Sequence, residues 1–179
     1  AYAAVLCYNN LYEEQNEDDR NVRAKRTPSK RRGRGRRRQL SEEEQAAQEL
    51  ERLQPRELTN LEQGMLRAYT RYVCYVTDSD DLVRIKYRRA RIYYVANHWE
   101  EAAVLFRDIA MNHSDDELGP FAANQYMDCL NAISRLNEDR RIGCRDELAD
   151  AVEVFLDNEN LTRDEEFRNQ VTQLQCGIL

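Results

Sequence analysis

The sequence predicts an all-α fold, and three observations carry that expectation. Only six Gly and three Pro interrupt 179 residues, too few for the turns of a sandwich or barrel. Hydrophobic residues make up 41% and charged residues 34%, the balance of helices with one buried and one solvated face. Apolar positions recur every three or four residues along most of the chain, the period of a helix rather than a strand. A chain of this length fits one domain, residues 1–179, with enough core to fold without a cofactor or metal.

Residues 1–15 read as a first helix whose apolar face holds Tyr2, Leu6, Tyr8, Leu11 and Tyr12. Next comes a basic strap, Arg23 to Arg38, with ten Lys or Arg and no acid. Pro28, Gly33 and Gly35 lie among these like charges, so the strap cannot build a core, and a flexible basic insertion is expected at about 16–57. Within it, Ser41 and Glu44 have the spacing of a capping box, which opens a short polar helix to about Leu53 that Pro55 ends. Leu58, Leu61, Met65, Ala68, Tyr72 and Val76 mark the second long helix. The third runs from Leu82 to Ala96, and the fourth from Trp99 to Met111 with Ala102, Phe106, Ile109 and Ala110 on one face. The turn between them, Asn97-His98, is so short that the two must pack as an antiparallel hairpin. Ser114 and Glu117 read as a capping box before the fifth helix, which buries Phe121, Ala122, Tyr126, Cys129, Ile133 and Leu136. Gly143 to Phe155 is the sixth, with Leu148, Val152, Phe155 and Leu156 inward. Thr162 and Glu165 then cap a seventh, whose seam of Phe167, Val171, Leu174 and Ile178 has no following helix to cover it. The chain therefore reads as a fragment of a longer protein, cut within helices at both ends.

Charge is divided unevenly. Ten of the 27 Lys and Arg lie in the strap, which leaves 17 against 33 acidic residues elsewhere. A basic segment is thus inserted into an acidic body. Arg31, Arg32, Arg34, Arg36, Arg37 and Arg38 are the candidate anion-docking residues. They carry the alternative function, binding of a polyanion such as nucleic acid or anionic lipid by counterion release. The strap holds no aromatic on which a base could stack, which weighs against that alternative.

No apolar run approaches the ~20 residues that cross a bilayer. Metalloprotease, phosphate-loop and nucleophile-elbow motifs are missing, and His98 and His113 sit where surface hydrogen bonding explains them. The expectation is a chain with no catalytic role. The five cysteines lack a Cys-x-x-Cys pair, so a zinc site is not expected. Buried free thiols are the simpler account, and Cys129 with Cys144 or Cys7 with Cys74 are the candidate disulfides.

From Tyr87 to Ala110 the chain resembles a tetratricopeptide repeat. The resemblance rests on Ala90, Tyr93 and Tyr94, the turn Asn97-His98, then Trp99, Ala102, Phe106 and Ile109-Ala110. Small residues at Ala90 and Ala102 let two helices approach, while Tyr93, Trp99 and Phe106 fill the space between hairpins. The other units are degenerate. The resemblance implies stacked antiparallel helical hairpins, about three and a half of them, forming a short right-handed solenoid. It also implies a scaffold that holds a partner protein or extended peptide in its concave groove. The style of the repeat is similar to bacterial cell-envelope tetratricopeptide proteins, which would favour the periplasm or envelope over the cytoplasm. Aligned to the repeat, Arg84, Tyr87, Arg91 and Tyr94 form one exposed row, and Asn124, Asp128 and Asn131 continue the groove on the next first helix.

Overall fold

A computed structural model describes residues 2–11, 13 and 41–178. All regular structure among these residues is helical. Helix α1 covers residues 2–11. It is followed by α2 (Glu42–Leu53), α3 (Asn60–Tyr75), α4 (Leu82–Val95), α5 (Trp99–Asn112) and α6 (Gly119–Leu136). A 3-10 turn, Glu138–Arg140, leads into α7 (Arg141–Leu156), and the short α8 (Glu159–Thr162) precedes α9 (Glu165–Ile178). From α3 to α7 each helix packs on the next, and α9 returns against α7. Tyr12, the basic strap with its six candidate arginines, and the side chains of Cys176 and Ile178 lie outside the described residues.

Two apolar clusters hold the helices. The larger joins Ala90 of α4, Ala102, Phe106 and Ile109 of α5, Ala122, Tyr126 and Cys129 of α6, and Val152 and Phe155 of α7, and runs on to Leu161, Phe167 and Val171. Ala90, Ala102, Ala110 and Ala122 are wholly buried, so the backbones approach closely at those points. Aromatic rings fill the gaps edge to face: Phe106 meets Tyr87 at 5.6 Å and Tyr94 at 5.9 Å, and Phe155 meets Tyr126 at 6.2 Å. The smaller cluster gathers Val5, Met65, Tyr69, Tyr72, Ile85 and Ile92. Helix α4 belongs to both clusters, and Tyr93 packs against each.

The expected face of α1 is corrected. Tyr2, Leu6 and Leu11 are exposed, and the residue that α1 buries is Val5. Its core neighbours Met65 and Tyr69 lie on α3, and the Tyr69 hydroxyl donates to the Asn9 carboxamide oxygen. Phe121 is likewise 56% exposed rather than core, because α6 turns Ala122, Ala123 and Tyr126 inward.

Helix starts follow local chemistry. Ser41 and Glu44 form the expected capping box of α2, and Thr59 and Glu62 form a second one that opens α3. The expected box at Ser114 does not form. The chain turns instead through residues 113–118, with Asp116 Oδ1 accepting from the Leu118 amide at 2.9 Å, and α6 begins at Gly119 and Pro120. Proline suits a first helical turn because the amide it lacks would be unpaired there. Gly119 is required by space: a Cβ there would lie 2.9 Å from the Ser114 carbonyl oxygen. The expected cap at Thr162 also fails. Thr162 closes α8 by donating its hydroxyl to the Asn158 carbonyl, and Asp164 Oδ1 caps α9 by accepting from the Phe167 amide at 3.0 Å.

Cys7, Cys74, Cys129 and Cys144 are free thiols, so neither candidate disulfide forms. Cys129 is fully buried, and burial with the nearby Asp128 charge pushes its thiol up to about 12.

Candidate groove along the fourth helix

Between Leu82 and Val95, α4 carries Arg84, Lys86, Arg88, Arg89 and Arg91 and no acid, although most of the chain is acidic. Spacings of three, four and three put Arg84, Tyr87, Arg91 and Tyr94 on one side of it. That row faces two hollows rather than one continuous surface.

The first hollow, about 630 Å³, lies between α1, α3, α4 and the turn before α6. Arg84, Arg88 and Arg91 line it together with Tyr69, Tyr87, Met65, Ile92 and Leu118. Glu62 on its wall is already taken: Arg56 grips it at 2.6 and 2.9 Å, and the Thr59 amide donates to it at 2.9 Å. The Arg56 hydrogen bonds are the main cause that lowers this carboxyl to about 2, against the opposing effect of burial. Arg84 reaches Asp81 at 3.3 Å. Arg88 and Arg91 have no carboxylate at ion-pair distance among the described residues. Glu13 and Glu117 line the same hollow, also without an ion pair among the described residues.

The second hollow, about 540 Å³, is bounded by Tyr94 of α4, by Phe121, Asn124, Gln125, Met127 and Asp128 of α6, and by Gln170, Gln173 and Leu174 of α9. Arg91 lies over the Tyr94 ring at 5.3 Å and connects the two hollows. The Tyr94 hydroxyl donates to Asp128 at 3.3 Å; burial first, then the Asp128 charge, pushes this phenol up to about 12. Burial also raises the Tyr87 phenol. Asp128 reaches solvent along one edge, yet packing beneath it lifts its carboxyl above the usual range, and the Tyr94 hydrogen bond works the other way. Asn124 donates to Gln170 at 2.8 Å. Phe121 and the 40% exposed Leu174 present apolar surface across the same hollow.

The sequence-derived residues therefore divide. Arg84, Tyr87 and Arg91 converge in the first hollow, and Tyr94, Asn124 and Asp128 in the second. Asn131 is exposed farther along α6 and lines neither. Sequence reasoning missed Arg88, although Arg84, Arg88 and Arg91 have helical spacing. It also missed Phe121 as a surface residue and the contribution of α9.

A second arrangement was not anticipated. At the turn between α4 and α5, Asn97 Nδ2 donates to the carbonyls of Arg52 (2.7 Å) and Gln54 (2.9 Å), and Trp99 Nε1 donates to Leu53 (2.8 Å). His98 Nε2 meets the Arg56 carbonyl at 2.9 Å, and the Arg56 amide donates to Ala96 O at 3.0 Å. One turn thus satisfies the last two carbonyls of α2, Arg52 and Leu53, and two more just beyond it.

Among the described residues no three His, Cys, Asp or Glu side chains converge on a metal-sized site, and no helix is long and apolar enough to cross a membrane. No family model matches the chain, and neither a curated protein nor a solved structure resembles it significantly.

Proposed function

We propose that this chain is a non-catalytic scaffold that holds an extended segment of a partner protein along α4, α6 and α9, on antiparallel hairpins stacked as in a tetratricopeptide solenoid. The observation that carries the reading is that the Arg84, Tyr87, Arg91 and Tyr94 row borders two adjoining hollows, while Tyr87 and Tyr94 rest their rings against the core at Phe106. Two contacts support the hairpin: Lys86 near the start of α4 bonds Asp108 near the end of α5 at 2.9 Å, while Tyr94 near the end of α4 meets Trp99 at the start of α5 edge to face at 5.3 Å. The amides of Asn124, Gln170 and Gln173 suit a peptide backbone, and arginine with tyrosine is the composition of an interaction hot spot.

The test is site-specific photo-crosslinking. A photoreactive amino acid at position 91 or 128 should label the same partner segment, whereas one at Val104, which is 69% exposed on α5, should not. Labelling from position 104 alone, or of nucleic acid in place of protein, would overturn the scaffold reading.

A further inference from the structure

Independently of the groove, we infer that α2 is an order–disorder element that is helical only while the α4–α5 turn holds its last carbonyls. It melts as a unit up to Gln54, and the chain from Arg56 onward stays folded. Helix α2 has 12 residues, and an isolated helix of that length is marginal in water. Packing does little to support it. Every residue from Glu42 to Arg52 is exposed and Leu53 is half-buried, so little apolar surface is taken out of water. Its ion pair with α6, between Glu49 and Arg135, joins two exposed side chains, and such pairs contribute little.

What remains is the two ends. Ser41 and Glu44 cap the first. At the last, Asn97 Nδ2 donates to the Arg52 and Gln54 carbonyls and Trp99 Nε1 to that of Leu53. All three bonds go to main chain, so the hold does not depend on the side chains at residues 52–54. The boundary on the other side is sharp. Arg56 is tied to the body in three ways: its amide donates to Ala96 O at 3.0 Å, its carbonyl meets His98 Nε2 at 2.9 Å, and its guanidinium grips the buried Glu62 at 2.6 and 2.9 Å. Pro55, between the held and the tied residues, has no amide to join to either. When α2 lets go, the Asn97 carboxamide and the Trp99 indole N–H lose their carbonyls. The ordered helix therefore keeps two donors of the turn occupied, and the melted one releases them.

The test is native-state hydrogen exchange of the full chain, followed residue by residue by NMR. Corrected for intrinsic rates, the amides of residues 46–53 should exchange at least about a hundredfold faster than the Arg56 amide. Urea at about 1 M should leave them nearly unchanged while it speeds Arg56, because sensitivity to denaturant scales with the surface that opening exposes. Asn97→Gly keeps the left-handed turn and removes two of the three bonds, so it should speed residues 46–53 by about tenfold relative to Arg56 in the same sample. Arg52→Ala combined with Gln54→Ala changes exposed side chains only, and should leave that ratio within about twofold. The inference is overturned if residues 46–53 and Arg56 exchange at one rate, if urea speeds both in parallel, if Asn97→Gly leaves the ratio unchanged, or if the double variant moves it as far as Asn97→Gly does.

Discussion

Asn97 occupies the left-handed region, at φ 61°, which side-chain-bearing residues rarely adopt. Its side chain also holds two carbonyls at the end of α2, those of Arg52 and Gln54. Backbone and side chain can therefore be tested separately. Asn97→Gly keeps the turn and loses the two bonds, at a cost of about 1 to 2 kcal/mol. Asn97→Ala adds left-handed strain of about 1 kcal/mol more. Urea midpoints should fall in the order parent, Gly, Ala; an Ala variant as stable as the Gly variant would contradict the strain. Glu62 gives a pH prediction. Its folded pKa, about 2, lies below the ordinary glutamate value of 4.5. A depressed carboxyl adds stability above its unfolded pKa and loses it as pH falls through the folded one. Roughly 2 kcal/mol, discounted because Arg56 is half exposed, should disappear between about pH 4.5 and pH 2. Glu62→Gln should flatten the acid limb of the stability profile over that window. The Thr59 and Glu62 box was not read from the sequence, where the apolar period placed the start at Leu58, and the Arg56 grip depends on how the chain enters α3.

At the scale of elements, α2 stands out because it buries no residue. Its capping box orders one end, and the turn at residues 96–99 holds the other. Trp99 is half-buried, with its ring on Tyr94. Trp99→Phe keeps ring contact but removes the donor to Leu53, so global stability should drop by only about 1 kcal/mol while amide exchange across residues 42–56 speeds markedly. Unchanged exchange there would mean that the indole bond does not hold α2. Gly119→Ala forces a Cβ against backbone that cannot swing aside, and a loss of about 1 to 3 kcal/mol is expected in thermal melts. The long helices were legible from period alone. The starts of α6 and α9 were not, since Pro120 and Asp164 outcompeted better-spaced Ser and Thr caps. The face of α1 was equally hidden, because Val5 is selected by what α3 offers and not by the weight of apolar residues on α1.

For the whole molecule, the decisive fact is that two apolar clusters share α4. Loosening one removes a wall of the other, so they should unfold together. Phe106→Ala should cost about 3 to 5 kcal/mol, and the parent's single Trp fluorescence and helix circular dichroism should report one coincident midpoint. Two separated transitions would mean that the clusters are independent. The row on α4 was legible because helical spacing fixes which residues share a face. Its division into two hollows was not, since that depends on α1, α3 and α9, which are distant in sequence.

The burial of Cys129 has a kinetic consequence. A thiol with no access to solvent and a pKa near 12 cannot be alkylated while its helices stay closed, whereas Cys7 and Cys74 are exposed. With a fast alkylating reagent in excess, its labelling rate becomes the rate at which the larger cluster opens. The native chain thus contains its own stopwatch for that event, read by mass spectrometry without an engineered label or denaturant.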